Sequence, residues 1–133
     1  MVSKRIESVS GQLQVVYSYI HTSGSKVTSL TISMPKTKGD RFCMVTFSDK
    51  VNIIRVKLSM DEIAGLADSI GRDAEWNCYH TFKSAKTSSE TRMQYGNSFI
   101  NAEKDRNRVA LKLTGDEKAS LKLVFENIFS RLI

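Results

Sequence analysis

Two carboxylate pairs, Asp61 with Glu62 and Asp116 with Glu117, and one Cys78-x-His80 step are the places where residue type and spacing could do chemistry. Neighbouring acids suit general acid–base work, and a thiol and an imidazole two apart on a strand share a face where they could ligate a metal. Simpler readings take precedence for both. Each acid pair follows a short strand and a hydroxyl, Ser59 or Thr114, with the Glu three residues after it and an apolar stripe beyond. That is a capping box: the hydroxyl accepts from a free N–H of the first helical turn and the Glu reaches back to the cap's own N–H. The acids also sit at the positive end of the helix dipole. All four are therefore assigned to helix initiation. Cys78-x-His80 has no second pair at metal-site spacing, and His80 falls in the alternation of an apolar strand face, so no metal and no cofactor are expected. No Gly-rich phosphate loop follows a strand and no Ser/His/Asp or Cys/His set can be assembled, so no catalytic residues and no enzyme are expected.

The capping boxes belong to a repeated text. Arg55-Val-Lys-Leu-Ser59-Met-Asp-Glu62-Ile-Ala-Gly-Leu66 returns as Arg108-Val-Ala-Leu-Lys-Leu-Thr114-Gly-Asp-Glu117-Lys-Ala-Ser-Leu121. At an offset of 55, six of the eleven positions from Val56 to Leu66 are identical. The elements before each copy repeat as well. In the first half, alternation predicts strands over residues 12–21 (Leu13, Val15, Tyr17 and Tyr19 on one face), 26–34, 41–48 and 51–58, then a helix from Met60 whose stop is Gly71. In the second, strands are expected over 75–83, 92–95, 98–103 and 107–113, then a longer helix with the stripe Leu121, Val124, Phe125, Ile128, Phe129 and Leu132. The segment from Ser84 to Thr91 reads as a long, mobile hairpin tip, and Met1 to Ser10 as a short arm.

These elements predict an α+β fold: a tandem ββββα repeat over residues 12–71 and 75–132, in one domain spanning 1–133, with two antiparallel sheets and the two helices packed together. With 41% hydrophobic residues the chain has enough apolar material for a core without disulfide or metal support. Cys43 and Cys78 read as small buried apolar residues. No apolar run is long enough to span a membrane and no secretory segment opens the sequence, so an intracellular, cytoplasmic protein is expected, with a nuclear or organellar compartment left open.

The net charge of +6 is unevenly spread. Residues 60–75 and 115–133 hold eight acids against four bases, and the rest of the chain sixteen bases against six acids, so the basic field belongs to strands and loops. A polyanion would meet the sheets there rather than the helices.

The strand-cap-helix order, met twice in a chain of this size, resembles the Whirly fold of plant single-stranded-DNA-binding proteins. The guide-RNA-binding proteins of kinetoplastid mitochondria use the same fold. The positive cofactor four family, a dimer of half-sized units, resembles a single copy of a related design, and the Pur-alpha repeat also sets strands before a helix. The Lys-Gly-Lys-Ala-Ala-Leu motif of plant Whirly proteins is absent, so the likeness is topological and transfers no residue. It implies single-stranded nucleic acid held across strand faces and association into dimers or higher homo-oligomers.

The residues themselves supply both ingredients such binding needs, cations for phosphates and flat side chains on which bases stack. Lys26, Lys36, Lys38 and Arg41 flank the second and third strands, and Arg55 and Lys57 share the outer face of the fourth. In the second half Lys83, Lys86 and Arg92 flank the long loop, and Arg108 and Lys112 lie on the last strand. Tyr79, opposite Trp76 and Phe82, is the candidate stacking platform. The expected function is a non-enzymatic single-stranded DNA-binding protein, with RNA as the other possible strand. The alternative is a protein-interaction or oligomerisation module without a nucleic-acid ligand.

Overall fold

A computed structural model describes residues 13–37 and 39–133. The proposed N-terminal arm and Lys38 lie outside the described residues. The chain runs β1 (Leu13–Ser23), β2 (Lys26–Pro35), β3 (Phe42–Ser48), β4 (Ile53–Ser59), α1 (Met60–Arg72), β5 (Trp76–Lys83), β6 (Ser88–Gly96), β7 (Phe99–Lys104), β8 (Asn107–Lys112) and α2 (Gly115–Leu132). β1 to β4 form one antiparallel meander and β5 to β8 a second, each leading directly into its helix.

Strand alternation decides what each sheet buries. The inner face of the first sheet presents Leu30, Ile32, Cys43, Val45, Phe47, Ile54, Val56 and Leu58, all buried. The inner face of the second presents Cys78, Met93, Tyr95, Ile100, Ala102, Val109 and Leu111. Ile63, Leu66 and Ile70 of α1 and Leu121, Phe125 and Ile128 of α2 complete one continuous core. The helices pack against each other, and β4 lies beside β6, β7 and β8 where the inner faces meet.

Both capping boxes form. Ser59 Oγ accepts from the Glu62 amide at 3.3 Å while Glu62 Oε1 accepts from the Ser59 amide at 2.9 Å, and Thr114 and Glu117 repeat the pattern with the same two distances. The stop of α1 differs from the expectation at Gly71. Asp73 closes the helix in the left-handed region (φ 51°), its amide donating to Ile70 O, and the Ala74 amide donates to Ser69 O at 2.8 Å. Asp73 is held there because its Oδ1 accepts the Tyr95 hydroxyl at 2.7 Å. The burial of Tyr95 accounts for that partner.

Two further expectations change. The register of β1 against β2 slips between Val15 and Tyr17, a β-bulge that sets Leu13 and Val15 on the face opposite Tyr17 and Tyr19. Val15 is therefore 61% exposed, while Val16, Tyr17 and Tyr19 pack against the core. The long tip after β5 is instead a four-residue turn, because β6 begins at Ser88 and pairs back to Lys83. The Ser84 amide donates to Thr87 O at 2.7 Å and Ser84 Oγ accepts the Thr87 amide at 3.1 Å, so the turn is hydrogen-bonded throughout.

Candidate nucleic-acid interface

The outer face of the first sheet is built from the side chains that alternation turns away from the core. Its cross-strand rows follow from the register: Val15, Ser33, Met44, Lys57; then Ser18, Thr31, Thr46, Arg55; then Ile20, Ser29, Ser48, Ile53. Short hydroxyl side chains occupy β2 and most of β3, making a shallow lane. Apolar Val15 and Ile20 on β1, with Ile53 on β4, border it. Arg55 and Lys57, both exposed, stand along β4. Neither cation is paired with an acid among the described residues. Lys57 Nζ lies 4.4 Å from the centroid of the Phe42 ring, a cation–π contact that leaves the ring on the outer face beside the charge.

From Lys57 the surface drops into a groove of about 610 Å³ lined by Arg41, Phe42, Ser59, Glu62, His80 and Thr81. The groove joins the edge of the first sheet to β5 of the second. Lys36 and Arg41 sit on the β2–β3 connection and also line a cleft shared with Arg131 of α2. Lys26 stands at the opposite end, on the β1–β2 turn beside Asp49. Lys83 and Lys86 are exposed at the β5–β6 turn.

The outer face of the second sheet is a different surface. Tyr79, Arg92, Glu103 and Arg108 form one row across β5 to β8. Arg92 is paired with Glu103 at 3.2 Å. Tyr79 is 53% exposed, on the face opposite buried Cys78, while Phe82, expected on the apolar face, is itself 62% exposed at the end of β5. Tyr79 lies among Glu90, Glu103 and Asp105. Its phenol pKa is raised first by the hydrogen bond to the Glu90 carboxylate. Lys112 instead stands opposite Phe99, an exposed aromatic beside Arg108, Asn77, Gln94 and Asn101 in a cleft of about 310 Å³. The eleven described candidates thus fall into separate groups. Arg41 shares the groove with Lys57, whose strand also holds Arg55; Tyr79, Arg92 and Arg108 share an acid-interleaved row; Lys112 stands by itself opposite Phe99; and Lys26, Lys36, Lys83 and Lys86 ring the sheets. Phe42, Phe99 and Arg131 join these surfaces without having been singled out from the sequence. For Phe42 and Phe99 the available signal was strand parity, which puts them on the same outer faces as Lys57 and Lys112.

The one group of metal-capable side chains among the described residues is Glu62, Cys78 and His80. His80 Nε2 donates to Glu62 Oε2 at 2.7 Å. Burial tends to raise the Glu62 carboxyl, but the Ser59 amide and His80 outweigh it and the net shift is downward. The Cys78 thiol is pushed up to about 12, first by burial and then by the Glu62 charge. A thiol so raised stays protonated at neutral pH, the reverse of an activated nucleophile. The other free cysteine, Cys43, is also pushed up to about 12, mainly by burial.

No protein-family model matches the sequence, and no curated protein matches it. Solved structures do. The plant transcriptional regulator PBF-2 superimposes with a TM-score of 0.67 and 16% identity over 90% of this chain and 82% of its own. WHY3 from Arabidopsis thaliana superimposes with a TM-score of 0.66 and 17% identity over 90% of this chain and 89% of its own. With two four-stranded meanders, each followed by a helix, this chain has a Whirly-like fold.

Proposed function

We propose that this protein binds single-stranded nucleic acid, with DNA as the first expectation and RNA as the other, along the outer face of its first sheet, and that it does so without catalysis. The observation behind this reading is the lane of serine and threonine side chains bordered by Arg55, Lys57, Phe42 and exposed aliphatics. Unpaired cations neutralise phosphates, while a ring and apolar side chains receive bases regardless of sequence. The shallow hydroxyl floor admits an unpaired strand and offers hydrogen bonds to sugar and phosphate. Likeness of fold to a plant transcriptional regulator agrees with this use.

A titration of fluorescent oligonucleotides, single-stranded and duplex, at two salt concentrations tests the proposal. Single strands bind preferentially, and log K falls against log salt with a slope of about −0.7 for each phosphate contacted. Absence of binding at low salt overturns it.

Self-association is the second reading. β1 is a sheet edge bearing Val15 at 61% and Ile20 at 63% exposure, side chains that a second copy would cover. Light scattering shows a dimer or larger assembly if the edge is used, and a monomer at all concentrations if it is not.

A further inference from the structure

We propose that Glu62, Cys78 and His80 form a zinc site, joining the cap of α1 to the first strand of the second sheet. The inference is independent of the nucleic-acid reading. Cys78 and His80 are two apart on β5 and so project to the same side, the side that faces α1. Glu62 comes to meet them because it is the third residue of that helix, with Oε1 fixed by the Ser59 amide at 2.9 Å. The cap uses one carboxylate oxygen only. The other, Oε2, accepts from His80 Nε2 at 2.7 Å and would ligate once the ion replaces that proton.

The thiol sulfur, imidazole nitrogen and carboxylate oxygen all lie within 4.8 Å of one another. Around a tetrahedral zinc, with bonds of about 2.0 Å to nitrogen and oxygen and 2.3 Å to sulfur, donor atoms stand about 3.3–3.5 Å apart. The His80–Glu62 contact of 2.7 Å would therefore open by roughly 0.6 Å to admit the ion, within side-chain reach. A thiolate with an imidazole selects a borderline metal over magnesium or calcium, which take oxygen ligands. Charge also balances. Zinc displaces the Cys78 proton to solvent and takes the place of the proton on His80 Nε2, leaving a neutral imidazole protonated on Nδ1. The thiolate and carboxylate together neutralise the dication, so a neutral centre forms beside Arg41 and Lys57. The fourth position opens into the groove of about 610 Å³, where water completes the tetrahedron.

The test uses the reduced protein, stripped of metal and titrated with cobalt(II) chloride. Cobalt should bind at one equivalent with a thiolate-to-metal charge-transfer absorption in the near ultraviolet, which zinc chloride then displaces. Cys78→Ser should abolish the band and Cys43→Ser should retain it. His80→Gln and Glu62→Gln should each weaken binding by at least about tenfold, the lower range of loss for removing even an outer-shell partner. Glu62→Gln keeps the helix cap, since a glutamine serves at that position. Circular dichroism verifies each variant's fold. Should Cys78→Ser not fold, zinc-edge X-ray absorption of the wild type decides the matter: one sulfur scatterer supports the site and none overturns it. The proposal also fails if the folded wild type gives no band in excess cobalt, if the band persists in Cys78→Ser, if Cys43→Ser removes it, or if His80→Gln and Glu62→Gln bind as the wild type does. In those cases Glu62 and His80 form only a hydrogen-bonded pair.

Discussion

The two halves of the molecule use the same backbone plan and diverge in the side chains laid on it. In each, a capping glutamate starts the helix and is met by the first strand of the other half. Glu62 receives His80 from β5, with Cys78 two residues before it. Glu117 lies close to Tyr19 of β1, with Tyr17 two residues before it, and the Tyr19 hydroxyl donates to Lys112 O at 3.3 Å. Burial and the Glu117 carboxylate push the Tyr19 phenol up to about 12. One junction therefore holds soft and imidazole donors and the other holds two phenols. The outer faces diverge too, with unpaired cations beside a hydroxyl lane on the first sheet and cations interleaved with acids on the second. Duplication preserves what the backbone requires, namely caps, alternation and core, and leaves contacts between the halves and the outer surface free to acquire different chemistry.

The sharpest break in the comparison would come from the core, where the halves ought to respond alike. Phe125→Ala removes a fully buried ring of α2 and should cost about 3–5 kcal/mol. Its counterpart on α1, Ile70→Ala, should cost about 2–5 kcal/mol. Denaturant melts check both. A Phe125→Ala protein as stable as the wild type would mean that α2 is not core.

The caps come next. Ser59→Ala and Thr114→Ala should each lower stability by about 1 kcal/mol, since each hydroxyl satisfies a first-turn amide. A large inequality between them would show that the junctions, rather than the caps, carry the helix starts. The acid limb sharpens the same point. Burial raises both glutamates, yet cap contacts, with His80 at one junction and Tyr19 at the other, leave both below the ordinary value of 4.5. A depressed carboxylate contributes stability that is present above its unfolded value and is lost as pH falls through its folded one. The stability gap between wild type and Glu117→Gln, or Glu62→Gln, should thus be widest above pH 4.5 and close in stronger acid. A gap that widens on acidification contradicts the assignment.

The smallest expected effects on folding belong to the outer faces. Arg55→Ala with Lys57→Ala, and separately Arg92→Ala, should leave stability within about 0.5 kcal/mol, as surface changes generally do.

Much of the fold was legible because its determinants are local. The hydroxyl and the glutamate three residues on marked both helix starts, and β3 and β4 alternated cleanly. The bulge at Val15 and Val16 was not legible, because an inserted residue between two apolar neighbours leaves no mark in an alternation of valines and tyrosines. Gly71 looked like a helix stop, but Tyr95, far along the chain, holds Asp73 in that role. Candidate cations could be placed on faces by parity, as Arg55 and Lys57 were. That Glu103 pairs with Arg92, or that Glu62 turns its second oxygen to His80, depends on cross-strand and cross-half neighbours that spacing alone does not reveal.

The most direct test of the account is the salt-dependent binding of one fluorescent single-stranded oligonucleotide to the wild type, the Arg55→Ala/Lys57→Ala protein and the Arg92→Ala protein. The first-sheet variant should bind more weakly, with a salt slope shallower by about 1.4, two phosphate contacts at roughly 0.7 each. Arg92→Ala should bind as the wild type does, because its charge is already taken by Glu103. Undiminished binding by the first-sheet variant, or a loss confined to Arg92→Ala, would contradict the placement of the strand on the first sheet.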